Sequence, residues 1–305
     1  MPSRALQETS LRYFAEVARA GSIQAASLRL HVAGSAISRQ IANLEQALDV
    51  ALFERRQRGM SLTAAGEALM VHARRTALDT ERVVFEIERL KGSRRGLIRV
   101  CAVEGFANDF LPRVIAKFQH EQPDVVVDLQ MALPVEVTHR VLEGEADIGM
   151  AFSRMAENGV DVRFRQAAPV MAMMRSGHPL ARARRLSLAR LQEFPLAIPS
   201  SDTTLRQLLE LASAARKVPI VPALTSNSAQ ALCAFVLASD GITFCAGISA
   251  HPFVANGKAV VVPLSDRIMA ERHLEIQTMA GRQLPDFMTL LVAILRKTLE
   301  SDHRP

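Results

Sequence analysis

The 305-residue chain has no tryptophan, one tyrosine and three cysteines. Nowhere does it hold an uninterrupted apolar run of about 18 residues, so no membrane-spanning helix and no membrane partner are expected. The opening MPSRALQETS lacks the apolar stretch that a secretory signal requires, and the expected location is the cytoplasm. Cys101, Cys233 and Cys245 are far apart and odd in number, which excludes a disulfide framework and a zinc site. Their apolar surroundings make them buried thiols. A redox switch would need an exposed thiolate beside positive charge, and the segments AFVLAS and ITFCAG offer none. The eight histidines form no pair at the spacing that puts two imidazoles on one helix face, so no metal is expected. His178, in SGHPLAR, reads as part of a solvated turn. A phosphate-cradling glycine loop, a nucleophile elbow and a close Cys and His pattern are all missing, which argues against catalysis and against a cofactor.

What is present begins with bulk apolar content. With 49% hydrophobic and 22% charged residues, the chain can bury large cores, and its length calls for two or three domains. The formal net charge is +6, and its distribution says more than its size. Residues 1–95 hold 15 Lys and Arg against 10 Asp and Glu, and 14 of those 15 are Arg. The planar fork of Arg suits phosphate and guanine, so nucleic acid is the natural partner of the first third.

The stretch from Ser22 to Leu62 carries the chemistry for that partner. Ser22 can cap a helix whose apolar side is Ile23, Ala26 and Leu30. After a turn at His31 to Gly34, Ile37, Ile41, Leu44 and Leu48 recur at helical spacing and leave Ser35, Ser38, Arg39 and Gln40 on the outside. Ser22 and Gln24 at the start of the supporting helix join Ser35, Ser38 and Arg39 as candidate DNA contacts. Leu52 and Phe53 then lead into a tight basic hairpin with Arg55, Arg56, Arg58 and Gly59, closed by Leu62. Together with an amphipathic helix over Leu6 to Ala20, this order reads as a winged helix-turn-helix over residues 1–63.

From Thr63, a candidate N-cap, to a stop at Gly92 runs a single helical pattern about 40 Å long. Leu69, Ala73, Thr76, Thr80, Val83, Ile87 and Leu90 alternate by four and three, the spacing of a coiled-coil seam. Such a narrow stripe can pack on its own domain or on a twin, and the polar remainder favours the twin, hence a homodimer. Residues 93–96 form a hinge. The rest, 97–305, reads as repeated β-α-β winding in two α/β lobes, an architecture that collects ligands at strand ends and helix N-termini. Candidate ligand contacts are Ser200, Ser201, Thr203 and Thr204 before one helix and Asn227 and Ser228 before another, with simple capping as the competing role. Phe106, Phe152 and Phe244 could line the cleft or fill the core.

Four segments in order, LRYFAEVARAGSIQAASLRLHVAGSAISRQIANLEQALDVALFERRQRGMSLTAAGE, FLPRVIAKFQHEQPDV, LEGEADIGMAF and GHPLARARRLSLARLQEFPLAI, make the chain similar to the LysR-type transcriptional regulators over essentially its whole length. The resemblance implies a multidomain α/β protein: a winged helix-turn-helix, a dimerising linker helix (64–92) and a two-lobed effector domain like the periplasmic binding proteins. Lobe one is then about 97–165 plus 270–305, and lobe two about 166–269. It further implies double-stranded promoter DNA and a small-molecule effector as partners, and homotetramers are common among such proteins.

Three departures from the family's pattern stand out. Gly34 and Ser35 occupy the helix start where a base-reading glutamine and a proline are usual, leaving Ser35, Ser38 and DNA shape to supply specificity. Asp49 stands where glycine is preferred, and aspartate tolerates the left-handed conformation. In the first-strand loop, Val103, Glu104 and Gly105 replace the hydroxyl pair that meets a carboxylate. Glu104 is therefore expected either to contact an amine or hydroxyl of the effector or to bridge to a protein arginine. The effector could be a small organic acid or an amine- or hydroxyl-bearing metabolite. A ligand-switched transcription factor is the leading function. A cytoplasmic small-molecule-binding protein whose N-terminal module only dimerises is the alternative, and an enzyme is a distant third.

Overall fold

A computed structural model describes residues 8–56, 59–91, 96–155, 157–200 and 203–302, with the backbone alone for Arg55, Arg56 and Arg89. Expectations on Leu6, Arg58, Gly92, the hinge residues Ser93, Arg94 and Arg95, and Ser201 lie outside the described residues, as do those on the Arg55 and Arg56 side chains. The chain divides into two compact units, Met1–Arg95 with Gly281–Pro285 and Gly96–Ala280 with Asp286–Pro305.

In the first unit, α1 (Thr9–Ala20) buries Tyr13, Phe14 and Val17. Helix α2 (Ile23–Leu30) starts at Ser22, whose Oγ accepts the Ala25 N–H at 3.1 Å, and ends at His31 in the left-handed region. Helix α3 (Gly34–Leu48) buries Ile37 and Ile41 and ends on Asp49, also left-handed with φ 49°. Strands β1 (Phe53–Arg56) and β2 (Gly59–Leu62) form an antiparallel hairpin. The Glu45 carboxylate at the end of α3 accepts the Leu52 N–H at 2.8 Å and so fixes the entry into that hairpin. Gly59, with φ 120°, lies so close to the first turn that a Cβ there would sit 2.5 Å from the Gly21 carbonyl oxygen. The Met60 N–H donates to that same oxygen at 2.8 Å. Helix α4 (Ala64–Leu90) begins with Thr63 as its cap, Oγ1 accepting the Gly66 N–H at 3.0 Å. Phe14, Ile37, Ile41, Leu52, Phe53 and Met70 make one small core.

The proposed seam on α4 divides. Leu69 and Ala73 pack into the unit's own core, and Thr80 is buried with its hydroxyl donating to the Thr76 carbonyl oxygen at 2.8 Å. Val83, Ile87 and Leu90 remain exposed, Leu90 by 85%. The first part of the stripe therefore serves the fold of the unit itself, because the small residues there let the helix lie close against the winged-helix core.

The second unit begins with β3 (Gly96–Ala102), α5 (Phe110–Glu121), β4 (Val125–Met131), α6 (Pro134–Leu142), β5 (Ile148–Ser153) and β6 (Val160–Ala167). It continues through β7 (Met171–Arg175), the short α7 (Leu188–Leu191), β8 (Leu196–Pro199), α8 (Thr204–Arg216), β9 (Pro222–Ser226), α9 (Ala229–Leu237), β10 (Ile242–Cys245), α10 (Gly247–Ala255) and β11 (Ala259–Pro263). It closes with β12 (His273–Met279) and α11 (Asp286–Asp302). Two five-stranded sheets result, ordered β4-β3-β5-β12-β6 and β11-β7-β10-β8-β9. In each, three adjacent strands pair in parallel, as expected for β-α-β winding, and β12 and β7 run antiparallel to both their neighbours. The chain passes from one lobe to the other after β6 and returns before β12. Where it crosses, the Ala168 N–H donates to the Arg272 carbonyl and the Val170 N–H to the Met269 carbonyl, both at 2.8 Å.

His178 departs from the solvated turn expected of it. It is 3% exposed, its ring lies 4.5 Å from that of Phe194, and Nδ1 accepts the Leu180 N–H at 3.1 Å. Nε2 lies 3.2 Å from the Asp240 carbonyl, which assigns the proton to Nε2 in the neutral ring. Burial holds its pKa below the usual histidine value. The apolar partner lies 16 positions along the chain, so the local polar sequence concealed it.

Candidate functional site

In the first unit the candidate DNA contacts sit on α2 and α3. Ile37 and Ile41 hold α3 to the core, and helical spacing then turns Ser35, Ser38 and Arg39 outward, where all three are exposed. Gln24 is exposed at the start of α2, while Ser22 spends its hydroxyl on capping that helix. At Gly34 a Cβ would meet only the Ile23 methyl at 3.5 Å, an ordinary contact. The absent long amide is thus a matter of surface chemistry rather than of space.

In the second unit a cleft of about 1040 Å³ opens between the lobes. Of the candidate residues, Val103, Glu104, Gly105, Phe152, Ser200, Thr203, Thr204, Asn227 and Phe244 border it. Phe106 does not. It is fully buried and stacks behind Phe152 with ring centroids 4.9 Å apart, so it supports the cleft wall instead of forming it.

Glu104 makes no bridge to an arginine among the described residues. Its carboxylate lies over the N-terminus of α9, accepting the Ala229 N–H at 2.7 Å, the Ser228 hydroxyl at 3.0 Å and the Gln230 N–H at 3.3 Å. Helix starts carry unpaired N–H groups and partial positive charge, so a carboxylate from the facing lobe is as well matched there as a ligand's would be. Ser228 also caps α9, accepting from Ala231 N–H at 3.3 Å, and Thr203 caps α8, accepting from Arg206 N–H at 3.1 Å. The Thr204 hydroxyl donates across the cleft to the Phe152 carbonyl at 3.0 Å. Behind Glu104, a Cβ on Gly105 would stand 2.5 Å from the Ser249 hydroxyl of α10, and His251 on that helix pairs with Asp109 at 3.1 Å. Three of the seven predicted polar contacts, Glu104, Ser228 and Thr204, thus bond from one lobe to the other.

Sequence reading missed Arg272, which borders the same cleft at the crossing point and is 2% exposed. Its guanidinium lies 4.4 Å over the Phe152 ring, and Nε donates to the Ala168 carbonyl at 3.0 Å. Burial lowers its pKa to about 10, which leaves it charged at neutral pH. All three cysteines are buried, and desolvation raises each thiol pKa, to about 11 for Cys233 and about 12 for Cys245. They are protonated at neutral pH and poor nucleophiles. Among the described residues no His, Cys, Asp and Glu cluster could hold a metal, and no helix is long and apolar enough to cross a membrane.

A basic hairpin behind an outward-facing helix, followed by a two-lobed cleft, defines a ligand-binding domain joined to a DNA-binding one. Residues 9–67 match the bacterial regulatory helix-turn-helix proteins of the lysR family, and residues 91–300 match the LysR substrate binding domain. The chain belongs to the LysR-type transcriptional regulators, a family of DNA-binding proteins with an effector-binding domain and not of enzymes. It is 25% identical over 297 residues to the transcriptional activator protein LysR of Escherichia coli, covering 93% of this chain and 96% of that one. It is likewise 25% identical to the regulator AlsR of Bacillus subtilis, over 61% of this chain and 62% of AlsR, so that match spans less than two thirds of the relative. A full-length OxyR variant from Pseudomonas aeruginosa shares the fold with a TM-score of 0.62 at 20% identity, covering 94% of each chain.

Proposed function

We propose that this chain is a transcription factor whose grip on promoter DNA is switched by a small molecule bound between the lobes of its second unit. The observation that carries the DNA half is α3, anchored by Ile37 and Ile41 with Ser35, Ser38 and Arg39 facing outward. In this reading those three side chains enter the major groove, with Ser22 and Gln24 beside them, and Arg55, Arg56 and Arg58 grip phosphates. The effector half rests on the cleft and on the contacts of Glu104 and Thr204 that span it. A ligand there changes how the lobes close, and so which arrangement of two half-sites the protein fits. The exposed Val83, Ile87 and Leu90 supply the remaining apolar surface of a homodimer seam, and tetramers would be dimers of that unit.

The test is a binding titration of the full-length protein on the DNA upstream of its own coding region and on random DNA, repeated at several salt concentrations. Specific binding at least roughly a thousandfold tighter than to random DNA is expected. Equal affinity for both, with and without candidate ligands, would leave a small-molecule-binding protein whose N-terminal unit only associates. Light scattering of the same sample gives the assembly size, with a dimer or tetramer expected and a monomer excluding the seam.

A further inference from the structure

Arg272 lies where the two lobes join, and among the described residues no carboxylate pairs with it. Its side chain is enclosed, its one hydrogen bond among the described residues runs from Nε to Ala168, and Nη2 is buried without a partner. The titratable group acting on it is the Cys245 thiol, which is neutral at physiological pH. A buried charge without a counter-charge is costly, and chains that keep one generally pair it with a ligand or a metal. A guanidinium borders the cleft here, so the missing partner is an anion, and its planar fork matches a carboxylate edge. Of the two helix starts at the cleft, that of α9 is already filled by Glu104. Met131, Leu133, Leu205 and Phe244 line the cleft with apolar surface, which suits a carbon skeleton and not a bare inorganic ion.

We propose that the cleft takes a small organic acid whose carboxylate pairs with Arg272 at the crossing point, while Glu104 keeps the α9 N-terminus. This deepens the regulator reading and rests on it for the cleft being an effector site. Because Arg272 is bonded to Ala168 on the opposite connecting segment, an anion docking on it acts directly where the chain crosses between the lobes.

The experiment uses the full-length protein, with butanoate, hexanoate and phenylacetate each set against its primary amide, and with inorganic phosphate, at matched ionic strength. Thermal shift and calorimetric titration are read for wild type and for Arg272→Met. The acids are expected to raise the wild-type melting temperature and to bind at least roughly tenfold tighter than their amides. Arg272→Met is expected to melt no lower than wild type without ligand, since an unpaired buried charge has been replaced by an apolar chain of similar length, and to lose the response to acids. The inference is overturned if amides bind as well as acids, if phosphate matches the acids, if no acid shifts the wild type, or if Arg272→Met keeps the acid response. Failure of the regulator reading shows separately, as wild-type protein that binds acids through Arg272 but does not discriminate its upstream DNA.

Discussion

The helix starts of the two units use polar side chains in opposite ways. On α3 of the first unit, Ser35, Ser38 and Arg39 are exposed, and the helix is held by apolar residues on its other side. In the second unit, several polar residues at the starts of α8 and α9 are engaged: Thr203 and Ser228 cap, Thr204 binds the Phe152 carbonyl, and Glu104 binds α9. An exposed polar helix start is free to meet a macromolecule. A cleft-facing one is used first to set the distance between lobes, and a ligand must find what is left over. Among the described residues the buried charge left over at the cleft is the Arg272 guanidinium.

This contrast can be broken or sharpened by substitution. Arg39→Ala should have the largest effect, weakening binding to a specific site roughly ten- to hundredfold, with the unfolding midpoint unchanged. A drop in stability of similar size would mean that Arg39 belongs to the fold, as Glu104 does. Glu104→Ala should do the reverse, costing about 2 kcal/mol of stability in urea unfolding, because Ala229 and Gln230 lose a charged acceptor. Wild-type unfolding in that variant would show that the inter-lobe contact carries no energy.

A third effect depends on pH. Folding holds the His178 pKa below its unfolded value, so its contribution to stability is complete above the unfolded pKa of about 6.5 and is lost as pH falls below it. Protonation would put a proton on Nδ1, where the ring now accepts the Leu180 N–H. Denaturation curves from pH 7.5 to 5 should therefore show a loss that His178→Gln flattens, and parallel profiles would remove His178 as the cause. The smallest effect is expected at Gly34→Ala, which should raise stability by a few tenths of a kcal/mol, because the Cβ fits and the helix start loses backbone freedom. A destabilised Gly34→Ala would mean that the turn before α3 is tighter than its 3.5 Å contact implies.

What could be read from the sequence follows the range of the interactions involved. Ser22, Asp49 and Thr63 act within three or four residues of themselves, and each was legible as a cap or a left-handed stop. The sheet strands with continuous apolar runs, such as β5 and β10, were legible for the same reason. Strand β6 is not legible in this way, because its alternation VDVRFRQA carries three charges, and neither is α10, which Pro252 interrupts. Glu104 and Arg272 take their roles from residues more than a hundred positions away, Ala229 and Ala168. No local pattern reports such a partner. Sequence reading therefore places Glu104 at the cleft without revealing its bond to α9, and passes over Arg272 altogether.

The placing of β12 has a consequence for how the protein is made. That strand sits between β5 and β6, and β6 has no other neighbour in its sheet. The strands of the other sheet all lie between Met171 and Pro263, so that sheet has its full set before β12 leaves the ribosome. During synthesis the second lobe can close first, while β6 waits with an open edge for a segment more than a hundred residues downstream. A nascent chain paused before His273 is the state most exposed to edge-to-edge association, and it ends as soon as the last strand slots in.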